Sequence, residues 1–395
     1  MLTVFHSEAS LGWGGQELRI MAELVGLARR GHRTGLLACA GGEILARARG
    51  AGVPCWEVPF RHALDLPSAA RAARVLRDQR ADVLVTHSSK DSWVGALASR
   101  LAGVPAVRMR HLAVPVRRNP ISRLVYTRLC RRIVTTGEGG RELLIREVGV
   151  RPDRIVAVPT GVDLERFDPR LTDGGPARRA LGIPAGVPVV GMVAVLRSKK
   201  GHRYFVEAAR EVVRAVPAAR FLIVGEGPMR PTVERWIAEA GLSGAVFLLG
   251  HREDIPEVMA ALNVMVLPSR RAEGVPQVLT QALAMERAVV TTDVVGVTEM
   301  VEDGVTGVVV PPEDAPALAK AVIGLLEDPD RATAMGRAGR RRVAAGFSLE
   351  GMLARMEAIY WEVAAAHPRA GGGASPEKAS AAGRGAPGRA GPEAR

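Results

Sequence analysis

Short apolar, β-branched runs alternate with amphipathic stretches along most of the chain. In the first half, Leu2–His6, Thr34–Cys39, Cys55–Val58, Asp82–His87, Ala106–His111, Ile133–Thr136 and Ile155–Val158 predict strands. Stretches of helical period lie between most of them, such as Gln16–Arg30, Ser68–Gln79 and Ser92–Leu101. Strand, helix and strand in series mean parallel βαβ units. A segment rich in Pro, Gly and charge, PTGVDLERFDPRLTDGGPARRALGIPAGVP, then breaks the pattern and reads as a linker with one short helix. The alternation restarts with Val189–Leu196, Ala219–Val224, Ala245–Leu249, Val264–Leu267, Ala288–Thr292 and Gly307–Val310. Three helical stretches, Ala315–Leu326, Pro329–Ala345 and Leu349–Ala366, close the patterned chain. The expected fold class is α/β, with two doubly wound Rossmann-like domains facing a cleft. From Arg369 the text is Gly, Ala, Pro, Ser and Arg with no apolar period, and residues 369–395 are expected to be disordered.

Composition narrows the function. With 47% hydrophobic residues, the 395-residue chain can bury a sizeable core. Aromatics make up only 4%, which argues against stacking platforms for single-stranded nucleic acid. The net charge of +13 admits nucleic acid, an anionic membrane or phosphorylated small molecules as partners. The three cysteines are scattered without metal spacing, as in a reducing compartment. Met1 leads directly into the strand-like LTVFH, without a secretory pattern, and no apolar run spans a bilayer. A cytoplasmic protein is expected.

Open α/β sheets bind ligands at the carboxyl ends of their strands, so the residues after each strand carry the functional signal. After the first comes HSEASLGWGGQELRI, where Gly14 and Gly15 open a helix whose free amides suit a phosphate. After Val189–Leu196 comes RSKKGH, a cationic turn suited to the charge that develops on a diphosphate leaving group. Within it, Arg197 and Lys200 rank ahead of Lys199. Gly225-x-Gly227 starts like a dinucleotide fingerprint, but the third glycine position is Arg230, so a tight turn is expected. His87 and His111 each end a strand; a lone histidine is more often structural than functional. After Val264–Leu267 comes PSRRAEGVPQVLTQALA. Its Glu273 sits at a strand-to-helix mouth, and Gln277 and Gln281 lie one helical turn apart, leaning back toward it. A carboxylate beside an amide suits vicinal hydroxyls.

With these residues assembled, the chain resembles the family-4 glycosyltransferases of the two-domain GT-B architecture, bacterial cell-envelope type. Matching segments occur in family order from Leu2 to about Ala366: LGWGGQE, VPAVRMRH, PTGVDLERFDP, LRSKKGH, FLIVGEGP, VFLLGHREDIP, the stretch Pro268–Thr292, VTEMVEDGVTGVVVPPED and FSLEGMLARMEAIY. The resemblance implies an acceptor-side domain at residues 1–165 and a donor domain at 166–347. A terminal helix, residues 348–368, is expected to pack back on the first domain. It implies that Gly14 and Gly15 approach a donor diphosphate and that Arg197 and Lys200 bind its phosphates. Glu273, with the backbone of Gly274, Val275, Pro276 and Gln277, would contact the transferred sugar. His111 would sit beside the reacting sugar, and the loop Gly250–Arg252, with His251 and Arg252, would edge the base. Where the family's E-x7-E pattern places a second Glu, this chain has Gln281, which binds a ribose without charge assistance. The Arg197–Lys200 spacing is also shorter than in many members.

The implied reaction is sugar transfer from a nucleotide-diphosphate sugar to a glycan or lipid-linked acceptor, of the lipopolysaccharide or envelope-polysaccharide type. Retention of configuration and independence of a metal follow from the family; no cofactor is expected beyond the nucleotide-sugar co-substrate. The segment Arg108–Arg132 holds eight arginines and no acidic residue, with Ile121, Leu124, Val125 and Leu129 at helical spacing. It could lay a basic face on anionic lipid at the inner side of the cytoplasmic membrane, or be an ordinary domain helix with solvated arginines. Three other readings compete. A catalytically weak nucleotide-sugar-binding protein is encouraged by Gln281. A dinucleotide oxidoreductase is disfavoured by the broken glycine pattern, and a nucleic-acid binder by the missing aromatics.

Overall fold

A computed structural model describes residues 1–113, 116 and 120–367. The expected tail at 369–395 and part of the arginine-rich segment, including Arg117 and Arg118, lie outside these residues.

Two parallel sheets form. The first contains β1 (Thr3–Glu8), β2 (Arg33–Ala38), β3 (Cys55–Glu57), β4 (Val83–Thr86), β5 (Ala106–Arg110), β6 (Arg132–Thr135) and β7 (Ile155–Ala157). Their order is β3-β2-β1-β4-β5-β6-β7. The second contains β8 (Val189–Val193), β9 (Arg220–Val224), β10 (Val246–Gly250), β11 (Val264–Leu267), β12 (Ala288–Thr292) and β13 (Val308–Val310), in the order β10-β9-β8-β11-β12-β13. Helices cover both faces of each sheet, so the central strands are apolar throughout rather than alternating. Val83, Leu84 and Val85 are all fully buried, as are Val264, Met265 and Leu267.

Strand order reverses between β1 and β4 in the first sheet and between β8 and β11 in the second. A ligand crevice opens at such a switch point, outside the carboxyl ends of the strands. The loops after these four strands carry the glycine loop, His87, the lysine pair and Glu273.

The helix Leu349–Ala365 begins with the side chain of Ser348 accepting from the Gly351 amide, and then crosses to the first sheet. Met352, Leu353, Met356, Tyr360 and Val363 are buried there among Leu2, Val4, Leu27, Val83 and Val107. At Gly26 any side chain would run into Leu353, so the two helices meet closely there.

Element edges differ from the sequence reading where capping decides. The helix expected from Ser92 begins at Ser89, because Ser88 and Asp91 form a reciprocal capping box. The helix Glu43–Gly50 was not expected; its buried face consists of Ile44, Leu45 and Ala48, too small an apolar signal to stand out. Gly225 and Gly227 lie against the backbone of Ala194 and Leu196, a packing turn rather than a dinucleotide loop.

Candidate active site

The cleft is built from two helix starts facing each other. On the first domain, Gly14 and Gly15 begin the helix Gly15–Arg29 after β1. On the second, Pro276 caps the helix Gln277–Ala284 after β11. A side chain at Gly15 would lie 3.7 Å from Gln277 Oε1, so these two turns approach across the domain boundary. Gln277 Oε1 is buried and accepts from no group among the described residues. Each helix start adds unpaired amides and a positive dipole end, which together favour an anion between them.

The lysine turn and the Glu273 mouth converge. Lys200 Nζ donates to Glu273 Oε1 at 2.8 Å, and Lys199 Nζ lies 3.7 Å from Oε2. Ser269 Oγ donates to the same Oε1 at 3.0 Å. Glu273 is 4% exposed, so the pair is largely desolvated, and removing either partner would leave a buried charge uncompensated. Gly201 ends the lysine turn at φ +77°, with its backbone against the Pro268 carbonyl, so a side chain fits neither the angle nor the space. Burial is the main cause that lowers the Lys199 ammonium below its ordinary value, against the pull of Glu273.

Gly274 joins the two domains. A side chain there would meet the His111 carbonyl at 2.3 Å and Thr136 Oγ1 at 2.4 Å. Thr136 Oγ1 itself donates to that carbonyl at 3.2 Å. The expected neighbours Glu273, Gly274 and His111 therefore stand together at the boundary.

Other expected residues are placed differently. Arg197 is exposed and its side chain bonds to nothing among the described residues, while Lys199, ranked behind it, reaches Glu273. Side-chain direction, invisible in the sequence, decides this. Val275 is buried in the second-domain core and Pro276 has no amide hydrogen, so at these positions only the backbone of Val275 can donate. Gln281 is half-buried, and its side-chain amide has no partner among the described residues. Arg252 is held by its own loop, donating to Asp254 Oδ1 at 2.7 Å, and His251 is exposed. The same loop touches the first domain: Glu253 pairs with Arg47 at 2.8 Å, and Arg47 lies over the Trp13 ring at 4.4 Å.

The arginine-rich segment is partly internal. Arg108 is buried over the Tyr126 ring, and Arg108 and Arg110 both donate to the Tyr126 hydroxyl at 3.1 Å. Arg123 donates to the Val148 carbonyl and Arg132 pairs with Glu362. Val125 packs inward, whereas Leu124 is 38% exposed, so the packed face is narrower than the spacing suggested. Arg128 and Arg131 remain exposed.

Sequence reasoning missed several polar groups. Glu8, at the end of β1, is buried, and its carboxyl is pushed up to about 8 by burial and then by nearby Asp91. It accepts from the Ser10 amide at 2.7 Å and from the Gln16 side chain. Glu299, after β12, accepts from the amides of Glu138 at 2.7 Å and Gly139 at 2.9 Å, at the start of a first-domain helix. His6, Glu23 and Tyr360 line up behind His111. Glu299 lies in a turn; for the others the signal was a polar residue inside a strand or helix otherwise written for the core.

Two Rossmann-like domains, with cations, helix starts and a carboxylate at facing switch points, define a GT-B glycosyltransferase. Comparison with known proteins agrees. The models "Glycosyltransferase Family 4" and "Glycosyl transferases group 1" match residues 13–166 and 176–342. The chain is 30% identical over 288 residues to the 2-deoxystreptamine glucosyltransferase of Streptomyces kanamyceticus, spanning 68% of this chain and 74% of that one. It is 28% identical over 308 residues to the UDP-Gal:alpha-D-GlcNAc-diphosphoundecaprenol alpha-1,3-galactosyltransferase of Escherichia coli, spanning 75% and 79%. Among solved structures, Anabaena HepE in complex with UDP and glucose superposes with a TM-score of 0.81 at 20% identity, covering 92% of this chain and all of that one. The chain belongs to the family-4 glycosyltransferases.

Proposed function

We propose that the protein moves a hexosyl or related sugar from a nucleoside diphosphate sugar to a glycan or lipid-linked acceptor in envelope assembly. The observation that carries this reading is the desolvated Lys200–Glu273 pair between two facing helix starts. Without donor, each charge is the other's partner. A diphosphate sugar satisfies both: its phosphates take Lys200, Lys199 and the helix amides, and its sugar hydroxyls take Glu273. Gln281 is positioned one turn on to hold a ribose, and the His251–Arg252 loop to edge the base.

Among the described residues Glu273 is the one carboxylate at the mouth, so a double displacement lacks a nucleophile there. We favour attack on the face the diphosphate leaves. The bond between anomeric carbon and phosphate oxygen breaks, and the acceptor hydroxyl oxygen bonds to that carbon. Its proton passes to the departing phosphate, and configuration is retained. Lysines and helix amides already supply positive charge, so the step asks for no metal.

The acceptor belongs on the first domain. A hollow of about 430 Å³ beside the glycine loop is lined by Leu11, Cys39, Val58 and Phe60 together with Arg61, Arg71 and Lys90. Apolar wall and cations suit an acceptor that carries phosphate. Among the described residues no helix is long and apolar enough to cross a membrane. Exposed Leu124 with Arg128 and Arg131 suits peripheral contact with anionic lipid at the inner face of the cytoplasmic membrane, predicting vesicle binding that weakens with salt. The reading is tested by incubating a panel of nucleotide sugars with lipid-linked and free glycan acceptors. Transfer by wild type and its loss in Glu273→Ala support it. Neither transfer nor donor hydrolysis by wild type favours a binding protein instead, the alternative that Gln281 encourages.

A further inference from the structure

Behind His111 the first domain holds a continuous line of buried polar side chains. His111 Nε2 lies 2.9 Å from His87 Nδ1, and His87 Nε2 lies 2.9 Å from His6 Nδ1. The rings are stacked, with centroids 5.2 and 5.1 Å apart. His6 Nε2 then faces Glu23 Oε2 at 4.0 Å. Glu23 is fixed by Arg19 Nε at 2.8 Å on one oxygen and by the Tyr360 hydroxyl at 2.6 Å on the other. His6, Glu23, Arg19 and Tyr360 are fully buried. The line runs from the C-terminal helix, through the first sheet, to the cleft.

We propose that this line fixes His111 in one tautomer, Nε2 protonated and Nδ1 bare, so that the cleft is offered a hydrogen-bond acceptor. The proposal rests on His111 facing the transferred sugar, as in the reading above. A neutral imidazole has one N–H and one lone pair. His87 must therefore donate to one neighbour and accept from the other, and both bonds run the same way along the line. Running outward, His6 would turn a bare Nε2 toward a carboxylate, which can only accept; lone pairs would face each other in a medium of low dielectric. Running inward, His111 donates to His87, His87 to His6, and the His6 Nε2 proton faces Glu23. Arg19 opposes this at His6, but Glu23 acts on that ring more strongly. Glu23 thus selects the direction, and His6 and His87 are positioning residues for His111.

The charge state supports this arrangement. Burial is the main cause that holds all three rings neutral, lowering His6 to about 4 and His87 and His111 well below the ordinary value. The cations Arg19 and Arg108 face His87, and Arg19 and Arg110 face His111, pushing the same way. A bare, neutral Nδ1 accepts from a sugar or acceptor hydroxyl and cannot act as a general acid toward the leaving phosphate.

The test is tautomer assignment in full-length protein labelled with 15N-histidine, by long-range proton–nitrogen correlation without substrate. The expected result is Nε2-protonated rings for His6, His87 and His111, none titrating between about pH 5.5 and 8. In Glu23→Gln the amide can donate as well as accept, so His111 should become a mixture of tautomers and kcat should fall with little change in donor KM. In Tyr360→Phe the carboxylate remains, so the tautomers should persist. A protonated Nδ1 on His111 in the wild type overturns the proposal, and that measurement decides alone if Glu23→Gln does not fold. Unchanged tautomers in folded Glu23→Gln overturn it too. Full activity of His111→Ala would instead remove the role of His111 and leave the tautomer assignment standing.

Discussion

At the scale of single residues, the proposed function has the site work by exchange of partners. Glu273 and Lys200 neutralise each other in a place too dry for either to stand alone. Glu273→Gln should lower transfer by about 100-fold or more with the fold intact, because under the proposed function the interaction lost is one made at the reacting sugar. Transfer assays with circular dichroism as the fold control check this. Glu8 gives a prediction about stability. Its carboxyl is raised from 4.5 to about 8 in the folded protein, so between these values the native state holds a proton that the unfolded chain has released. Stability should therefore fall as pH rises from about 4.5 through about 8, then level off. Glu8→Gln should flatten that fall and raise the melting temperature most above pH 8, readable by calorimetry across pH. The sequence singled out Glu273 and Lys200 because each follows a strand, and His111 through the family resemblance. It did not carry Lys199 over Arg197, a matter of side-chain direction. Nor did it carry Glu8 and His6, whose meaning comes from neighbours distant in the chain.

At the scale of elements, strand ends and helix starts do the positioning. The βαβ alternation was legible because buried parallel strands are written as continuous apolar runs, and the switch points follow from strand order. Helix starts were less legible, because Ser88 with Asp91 adds a turn that apolar period cannot report. Gly274 is a tight join between the two domains, held between the loops after β5 and β6. Gly274→Ala must push the His111 carbonyl or Thr136 aside and so part the two strand ends. The expected outcome is a kcat/KM loss of about 100-fold from misplacement alone, with secondary structure unchanged. Steady-state kinetics and circular dichroism distinguish this from unfolding.

At the scale of the molecule, contacts besides Gly274 tie the domains, among them Glu299 on the helix that starts at Glu138, and Arg47 with Glu253. Both lie beside the cleft and leave the cores untouched, as closure contacts do. Glu299→Ala should raise donor KM several-fold and leave the melting temperature within about 2 °C, since an exposed capping interaction contributes only about 1 kcal/mol. These contacts were illegible in the sequence, because each joins residues that only the domain arrangement brings together. The proposed function rests above all on Lys200 and Glu273 binding a diphosphate-linked sugar together. Calorimetric titration of a nucleotide-sugar panel, with UDP-glucose first, into wild type and Lys200→Ala tests it most directly. Wild type should bind at least one donor, and Lys200→Ala should bind it about tenfold or more weakly, the loss expected for one charge-assisted hydrogen bond. Equal affinity in the two proteins, or no nucleotide sugar bound by the wild type, would contradict it.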